Sequence, residues 1–320
     1  MEHRTSLGRS ELQVPRLGVG AMTWGDPHGL ARLHPAKIAY GGAHGLEEEK
    51  RALEVSLEAG ANLFDTAAQY SVGAAERRLG ELARDKDVLI ATKYPSGFSF
   101  RVEDFPKELE ATLARLGRDS IDLYQHHYPS NRISIPKLMD QLADAVEAGK
   151  VKAVGVSNYS VEQMREAHTA LARRGLPLAS NQVQYSLVYR KPEVDGVLDA
   201  CRELGITLIA YSPLGMGALT GKYSAQNKAG GFFRRILPNF SRKAMDAVQP
   251  VIHLLRQIGE RYTKTPSQVA LRWLIENRVV LPIPGAKNSR QATENAGALS
   301  FSLTPEEVDT LSQASMAWRV

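Results

Sequence analysis

Residues 121–158, "IDLYQHHYPSNRISIPKLMDQLADAVEAGKVKAVGVSN", contain a strand, a helix and a second strand in succession. The end runs "IDLYQHH" and "VKAVGVSN" are short and apolar, which is typical of buried strands. Between them, apolar residues of "PKLMDQLADAVEAGK" recur at three- and four-residue steps and a glycine follows, as in an amphipathic helix with its C-terminal stop. The stretch therefore predicts one β-α-β unit of a parallel sheet.

The same alternation continues along the chain. Six further apolar runs raise the number of candidate strands to eight: "RLGVGAM", "ANLFDTA", "VLIATKY", "LASNQVQY", "ITLIAYSPL" and "VVLPIPGA". Helical patterns lie between them, such as "TPSQVALRWLIENR", with Thr265 as the predicted N-cap and Pro266 in the first turn. These repeats predict an α/β fold, a (β/α)8 TIM barrel forming a single domain over residues 1–320. A doubly wound open sheet is the alternative, but "GVGAMTWG" lacks the glycine spacing of a dinucleotide-binding loop.

Composition and charge narrow the choice of partner and compartment. The 40 Lys+Arg and 35 Asp+Glu residues are interspersed, which argues against a nucleic-acid partner. The basic stretch Phe232–Lys243 fits either a nucleotide or phosphate contact or a solvated loop. One cysteine, Cys201, excludes an intrachain disulfide and is expected to be a buried, inert thiol. Without a signal-peptide pattern or an apolar run of membrane-spanning length, we expect a cytoplasmic protein with no membrane partner.

Two long segments, residues 25–45 and 223–240, interrupt the strand-helix rhythm. Both follow the carboxyl ends of predicted strands, where barrel loops usually shape the active site, so we expect them to shape a pocket rather than decorate the surface. The first segment contains His28, His34 and His44, but their spacing fits no compact metal-binding motif, and no metal site is predicted.

Polar residues stand at the carboxyl ends of several apolar strands, where buried charge is tolerated only if it is paired or used. Asp65 ends one strand and Lys93 ends the next, so a barrel brings them to the same rim. A phenol has an ordinary pKa of about 10, which a neighbouring ammonium lowers. Tyr70, five residues after Asp65, would then be a general acid able to protonate a developing alkoxide, with an imidazole nearby.

Eight motifs, in this order, resemble the aldo-keto reductase family from Arg16 to about Leu299: "LGVGAMTWG", "LFDTAAQY", "IATKY", "DLYQHHYP", "GVSNYS", "NQVQYS", "AYSPLGMGALTGKY" and "PGAKNSRQATENAGAL". The resemblance implies a TIM barrel with an N-terminal β-hairpin and extra C-terminal helices, binding extended NADPH at its carboxyl rim. It further implies reduction of an aldehyde or ketone to an alcohol, or the reverse with NADP+, the hydride coming from nicotinamide C4.

By the same resemblance, the catalytic residues are Asp65, Tyr70, Lys93 and His127. Tyr70 donates the proton, Lys93 lowers its pKa, and Asp65 holds Lys93. Ser71 departs from the glycine that many relatives have after the tyrosine, which leaves these roles unchanged.

The two adjacent histidines of "LYQHHYP" receive different interpretations. Counting the family motif from Asp122 places the catalytic histidine at His127. Because neighbouring side chains on a strand point to opposite faces, His126 is predicted to face the surrounding helices as a hydrogen-bonded packing residue.

The resemblance also implies a cofactor site. Ser157, Asn158 and Gln182 match the nicotinamide carboxamide, and Tyr211 matches the aromatic residue that stacks on its ring. Lys287 and Arg290 lie where a ribose 2′-phosphate would sit, which favours NADPH over NADH. The full implied set is Gly20, Met22, Asp65, Ser157, Asn158, Gln182, Tyr211, Ser212, Pro213, Leu214, Gly215, Lys222, Gly285, Lys287, Arg290, Gln291, Glu294 and Asn295.

The substrate and the alternative function follow the same resemblance. Trp24, Tyr94 and Tyr128 are predicted to wall an apolar pocket for a small-molecule carbonyl, which suits aldehydes, ketones, quinones or pyridoxal equally well. The alternative is a cofactor-binding regulatory or sensor subunit with little turnover, similar to the potassium-channel β subunits. The sequence assigns no oligomeric state.

Overall fold

The computed structural model describes residues 4–26, 45–96, 101–130, 132–223 and 240–320. It begins with an antiparallel hairpin of β1, Arg4–Ser6, and β2, Gln13–Pro15. Leu7 and Val14 of the hairpin are wholly buried against apolar residues from the barrel interior. The hairpin therefore closes the amino-terminal end of the barrel.

Eight parallel strands form the central sheet, and each pairs with the next strand in the chain. The first and last strands also meet, because Gly18 N donates to Pro282 O at 3.0 Å and Gly20 N donates to Pro284 O at 2.9 Å. The predicted closed barrel is confirmed. The strands are β3 Val19–Gly20, β4 Leu63–Asp65, β5 Leu89–Tyr94, β6 Ile121–His126, β7 Val151–Ser157, β8 Leu178–Gln184, β9 Thr207–Tyr211 and β10 Val280–Pro282.

Helices connect the strands and cover the outside of the sheet, and further helices follow the last strand, as the resemblance implied. They are α1 Leu46–Glu58, α2 Ala74–Ala83, α3 Phe105–Leu116, α4 Ile135–Glu147, α5 Val161–Ala172, α6 Val197–Leu204, α7 Arg242–Tyr262, α8 Pro266–Glu276, α9 Ser289–Ala296 and α10 Pro305–Ala314. No helix in the described ranges has both the length and the apolar character needed to span a membrane.

Helix α4 illustrates how the sequence pattern produces the structure. Leu138, Met139 and Leu142 recur at helical spacing and are wholly buried, and each buried leucine side chain contributes about 1.5–3 kcal/mol. Gly149 follows the helix with φ 73°, a left-handed conformation that a glycine adopts without strain. At α8, the Thr265 hydroxyl accepts from the Gln268 N–H, so the predicted N-cap is confirmed.

The strands alternate between two apolar layers. Leu123 of β6 packs inside the barrel, whereas Tyr124 and His126 pack in the layer under the helices. This period of two directs Lys93 of β5 and its register partner Gln125 towards the barrel mouth. Cys201 is wholly buried in the outer layer, where burial raises the pKa of its thiol to about 12 and keeps it protonated, as predicted.

Candidate active site

A cleft of about 580 Å³ opens at the carboxyl ends of the strands. Its described lining consists of Gly20, Met22, Thr23, Asp65, Gln69, Tyr70, His127, Tyr128, Ser157, Asn158, Gln182, Tyr211, Ser212, Pro213, Leu214, Met216, Gly217, Thr220, Lys222, Ser267, Ile283, Pro284, Gly285, Lys287, Gln291, Glu294 and Asn295. This set includes three of the four predicted catalytic residues, and the fourth, Lys93, lies directly beneath.

Lys93 and Asp65 form a buried ion pair at the floor of the cleft. Nζ of Lys93 donates to Oδ1 of Asp65 at 2.5 Å and to the backbone oxygen of Thr66 at 2.7 Å. Burial lowers the pKa of Lys93, and the carboxylate of Asp65 opposes that shift. The second carboxylate oxygen accepts from Nε2 of Gln182 at 2.7 Å. Each member of the ion pair therefore has a further hydrogen-bond partner. A wholly buried ammonium needs such partners, because burial removes its contacts with water.

Tyr70 stands above this pair on a tight turn, Tyr70–Gly73. Nζ of Lys93 lies 5.1 Å from the centroid of the Tyr70 ring, and the His127 ring meets the Tyr70 ring edge-on at a centroid distance of 5.6 Å. The fold thus brings Asp65, Tyr70, Lys93 and His127 together from four different chain segments. At this spacing, a phenol can donate a proton to a substrate atom while the ammonium stabilises the phenolate that remains and the imidazole contacts the same substrate atom.

His127 follows the last residue of β6 and is neutral. Burial lowers the pKa of His127 to about 3, with smaller contributions from the positive charge of Lys93 and from His126. The imidazole stacks on the half-exposed Tyr128 ring, with centroids 4.7 Å apart. Its Nδ1 has no hydrogen-bond partner among the described residues. A neutral imidazole offers one N–H donor, which is suited to hold a carbonyl oxygen.

His126 points to the opposite side of the strand, as its position predicted. It is wholly buried between the Tyr94 and Tyr159 rings, and its Nδ1 lies 2.7 Å from the Tyr159 hydroxyl. Burial lowers the pKa of His126 to about 4. The interpretation of His126 as a hydrogen-bonded packing residue is confirmed.

Acid is expected to destabilise the protein through both histidines. Each has a folded pKa below its ordinary value of 6.5, so the unfolded chain binds more protons and stability falls as the pH drops below 6.5. The loss between pH 7 and pH 5 is about 2 kcal/mol for each histidine. Urea unfolding at pH 7 and pH 5 measures it, with His126→Leu as the control that removes about half of the difference. A pH dependence that is the same in the wild type and in His126→Leu would contradict the burial of the His126 ring.

Amide and hydroxyl groups from β7, β8 and β9 line the next part of the cleft. Nδ2 of Asn158 donates to the Ser157 hydroxyl at 3.0 Å and to the backbone oxygen of His127 at 3.2 Å, while Oδ1 accepts from the Tyr211 hydroxyl at 3.1 Å. Ser157 in turn donates to the backbone oxygen of Gln182 at 2.9 Å. These contacts hold planar amides beside an aromatic ring, which matches the chemistry of a nicotinamide carboxamide.

The far end of the cleft has a mixed polar lining from α8 and α9. The Thr265 hydroxyl donates to Oε1 of Glu294 at 2.5 Å, and Oε1 of Gln291 accepts from the Lys287 backbone N–H at 2.9 Å. The Lys287 side chain adds a cation, and the backbones of Gly20 and Gly285 pair across the cleft floor without side chains. An extended dinucleotide carrying a phosphate fits this sequence of donors, acceptors and positive charge.

Backbone strain concentrates around the cleft. Six non-glycine residues of the described ranges have positive φ, and all but the helix-ending Thr263 lie in the cleft lining or next to it. Asn158, Ser212 and Met216 line the cleft, and the other two follow Tyr70. Such strain persists only where the surrounding structure holds it, and it is typical of functional sites.

Several predicted positions are corrected by the structure. Trp24 and Tyr94 were expected to wall the pocket, but both are wholly buried. Trp24 donates to the Ala286 backbone oxygen at 2.7 Å, and the Tyr94 hydroxyl donates to the Arg101 backbone oxygen at 2.6 Å, so neither ring faces the cleft. Tyr128 does line it.

Two implied cofactor residues also lie outside the lining. Gly215 is buried behind it with φ 57° and shapes the turn by donating to the Ser212 backbone oxygen at 2.9 Å, and Arg290 is exposed next to the rim. Sequence reasoning missed Thr23, Gln69, Met216, Gly217, Thr220, Ser267, Ile283 and Pro284. Most of these stand within two residues of a predicted position, and that adjacency was the available signal.

Some predictions fall on segments that the structure does not describe. Residues 27–44 and 224–239 lie outside the described residues. The expectation that segments 25–45 and 223–240 shape the pocket therefore falls mostly there, as do His28, His34 and His44 and most of the basic stretch Phe232–Lys243.

Comparisons with known proteins identify the family of the chain. The model of the Aldo/keto reductase family matches residues 16–315. The chain is 36% identical over 318 residues to the chloroplastic pyridoxal reductase of Arabidopsis thaliana, covering 92% of this chain and 82% of that protein. It is 32% identical over 319 residues to "Aldo-keto reductase yakc [NADP(+)]" of Schizosaccharomyces pombe, covering 94% and 88%. The solved glycerol dehydrogenase AKR11B4 of Gluconobacter oxydans superposes with a TM-score of 0.82 at 25% identity, covering 98% and 95%.

Proposed function

The chain belongs to the aldo/keto reductase family, and from this premise we propose that it reduces an aldehyde or ketone to an alcohol with NADPH, using Tyr70 as proton donor. The observation that carries the proposal is the wholly buried Lys93–Asp65 ion pair beneath the Tyr70 ring. A buried ammonium beside a phenol favours the phenolate and so lets the phenol give up its proton at neutral pH.

The roles of the chain's own residues follow from their positions. When bound, the nicotinamide would supply the hydride that adds to the carbonyl carbon. Tyr70 gives its proton to the carbonyl oxygen, Lys93 stabilises the phenolate that remains, and Asp65 keeps Lys93 charged and in place. Gln182 and Gln125 donate to the second Asp65 oxygen and prevent the carboxylate from rotating away. His127, being neutral, orients the carbonyl oxygen by donating one hydrogen bond.

Substitution of His127 should mainly lower turnover, whereas substitution of His126 should mainly lower stability. His127→Ala is expected to lower kcat by about 10²-fold, the usual effect of losing one donor to a developing oxyanion, and to cost less stability than His126→Ala because its ring lines the cleft. His126→Ala is expected to cost about 2–5 kcal/mol of unfolding free energy, as for other large core side chains, with kcat largely retained. Steady-state kinetics and urea unfolding of both variants check this pair of results. A reversed pattern would mean that the two side chains have exchanged faces.

The cofactor preference rests on two cations near the far end of the cleft. Lys287 lines the cleft and Arg290 lies exposed beside it, where charge-assisted hydrogen bonds would reward a 2′-phosphate. A relative of the chain is named as using NADP(+). Lys287→Ala with Arg290→Ala is expected to reduce the preference of kcat/KM for NADPH over NADH by about 10-fold or more. Arg173→Ala, an exposed cation that follows α5, is the control, and an unchanged preference in the double variant would count against this cofactor assignment.

The experiment that tests the function is NADPH oxidation followed by absorbance with a panel of aldehydes, ketones and quinones. Steady NADPH consumption that depends on the carbonyl supports a reductase. Tight NADPH binding with negligible turnover across the panel would instead favour a cofactor-binding regulatory subunit.

A further inference from the structure

The turn that carries Tyr70 has an unfavourable backbone. Ser71 and Val72 have φ 51° and 55°, and Gly73 follows with φ 77°. A β-branched residue such as Val72 is strained in the left-handed region. Val72 is 62% exposed, so burial of this residue does not compensate for the strain. Contacts from neighbouring elements must therefore hold the turn.

The Arg115 side chain lies directly against this turn. A Cβ added to Gly73 would come within 2.7 Å of Cδ of Arg115, so the arginine stem fills the space beside the glycine. Arg115 extends from the last turn of α3, and its own position is fixed. Its Nε donates to Oε2 of Glu76 at 2.5 Å, and one terminal nitrogen donates to the Thr112 hydroxyl at 2.9 Å.

Glu76 connects the Tyr70 turn to β5, the strand that carries Lys93. It lies in the first turn of α2, which begins immediately after Gly73, and it is wholly buried. Its Oε1 accepts from the Thr92 hydroxyl at 2.6 Å, and Thr92 is the residue before Lys93 in β5. One carboxylate thus joins the helix that follows the Tyr70 turn, the arginine behind the turn and the strand that carries Lys93.

We infer that the Glu76–Arg115 ion pair is a positioning pair that holds the Tyr70 turn above Lys93. Neither side chain lines the cleft, so both act through the backbone of the turn and not on the substrate. The inference rests on the proposed function, because it assigns the pair to the placement of the proton donor. A displacement of about 1 Å at a reacting group can cost about 10²-fold in rate.

Arg115→Met is the first test, because methionine retains much of the apolar stem but loses the ion pair. We expect kcat for an aldehyde to fall at least about 10-fold while the NADPH dissociation constant, measured by fluorescence, stays within about twofold. The pH profile of kcat should also shift, since the distance from Lys93 to Tyr70 changes. Glu193→Gln is the matched control, because it weakens the similarly buried Arg190–Glu193 pair away from the cleft and should lower Tm without lowering kcat.

A double variant keeps the inference testable if Arg115→Met does not fold. Glu76→Gln with Arg115→Met removes both charges and leaves no unpaired buried ion. It should fold and show the same low kcat. Adding Val72→Gly should then recover at least about threefold in kcat, because glycine adopts positive φ without support. A folded double variant with kcat within twofold of wild type, or no recovery with glycine, overturns the positioning role.

Tyr70→Phe, run in parallel, separates this inference from the proposed function. If Tyr70→Phe is inactive but the Glu76 and Arg115 variants keep full kcat, the positioning role alone is wrong. If Tyr70→Phe keeps its turnover, the proposed function is wrong and the positioning role falls with it.

Discussion

Tyr70→Phe is expected to lower kcat for a reducible aldehyde by about 10²- to 10⁴-fold, the range that general acid catalysis contributes. The variant loses one hydroxyl and keeps the ring that contacts Lys93 and His127, so the cleft should keep its shape. NADPH affinity and Tm should therefore stay close to those of the wild type. Single-turnover NADPH oxidation measures the chemical step directly.

A matched tyrosine on another face provides the control for this substitution. Tyr159→Phe removes a hydroxyl that pairs with His126 in the outer layer, outside the cleft lining. It should lower stability and leave kcat within a few-fold of the wild type. Comparable losses of kcat in the two variants would show that the Tyr70 hydroxyl has no special role, and wild-type turnover in Tyr70→Phe would end the proposed mechanism.

Lys93→Met is expected to abolish most turnover and also to lower the unfolding free energy by about 3–5 kcal/mol, the cost of breaking a buried ion pair from one side. The Asp65 carboxylate would remain buried without its ammonium partner, while the amides of Gln182 and Gln125 still donate to it. Steady-state kinetics and chemical unfolding measure the two losses separately.

Neutralising Asp65, the partner of Lys93, should separate the loss of turnover from the loss of stability. Lys93→Met with Asp65→Asn removes the unpaired charge, so much of the lost stability should return while turnover stays low. If the double variant recovers turnover as well, the ammonium has no catalytic role. If it recovers no stability, the loss in Lys93→Met comes from packing and not from the stranded carboxylate.

The strands could be predicted from local pattern, and the meeting of Tyr70, Lys93 and His127 from the order of the family motifs, while their catalytic roles stay predictions. Eight apolar runs with helical stretches between them require one parallel sheet, and the alternation along β6 places His126 and His127 on opposite faces. The order of the motifs then identified Asp65 and Lys93. These residues are far apart in the chain, but the pairing of β4 with β5 brings their side chains into contact.

The pocket walls were predicted less well. Tyr94 is the last residue of β5, and the alternation that directs Lys93 towards the barrel mouth directs the Tyr94 ring to the layer under the helices, against Phe105. Trp24 lies beyond the end of β3 and packs against Phe64. The direction of a side chain beyond a strand depends on the loop that follows and on which neighbour has space. Neither quantity is encoded in the spacing of residues.

The sequence alone determined the barrel and the family, because hydrophobic period and motif order are properties of the chain, and it predicted which side chains are catalytic. The tertiary structure alone decided that Tyr70 sits on a left-handed turn and that Glu76 and Arg115 lie behind it. Strained φ angles exist only when contacts from distant segments hold them, so they become visible only after the chain has folded.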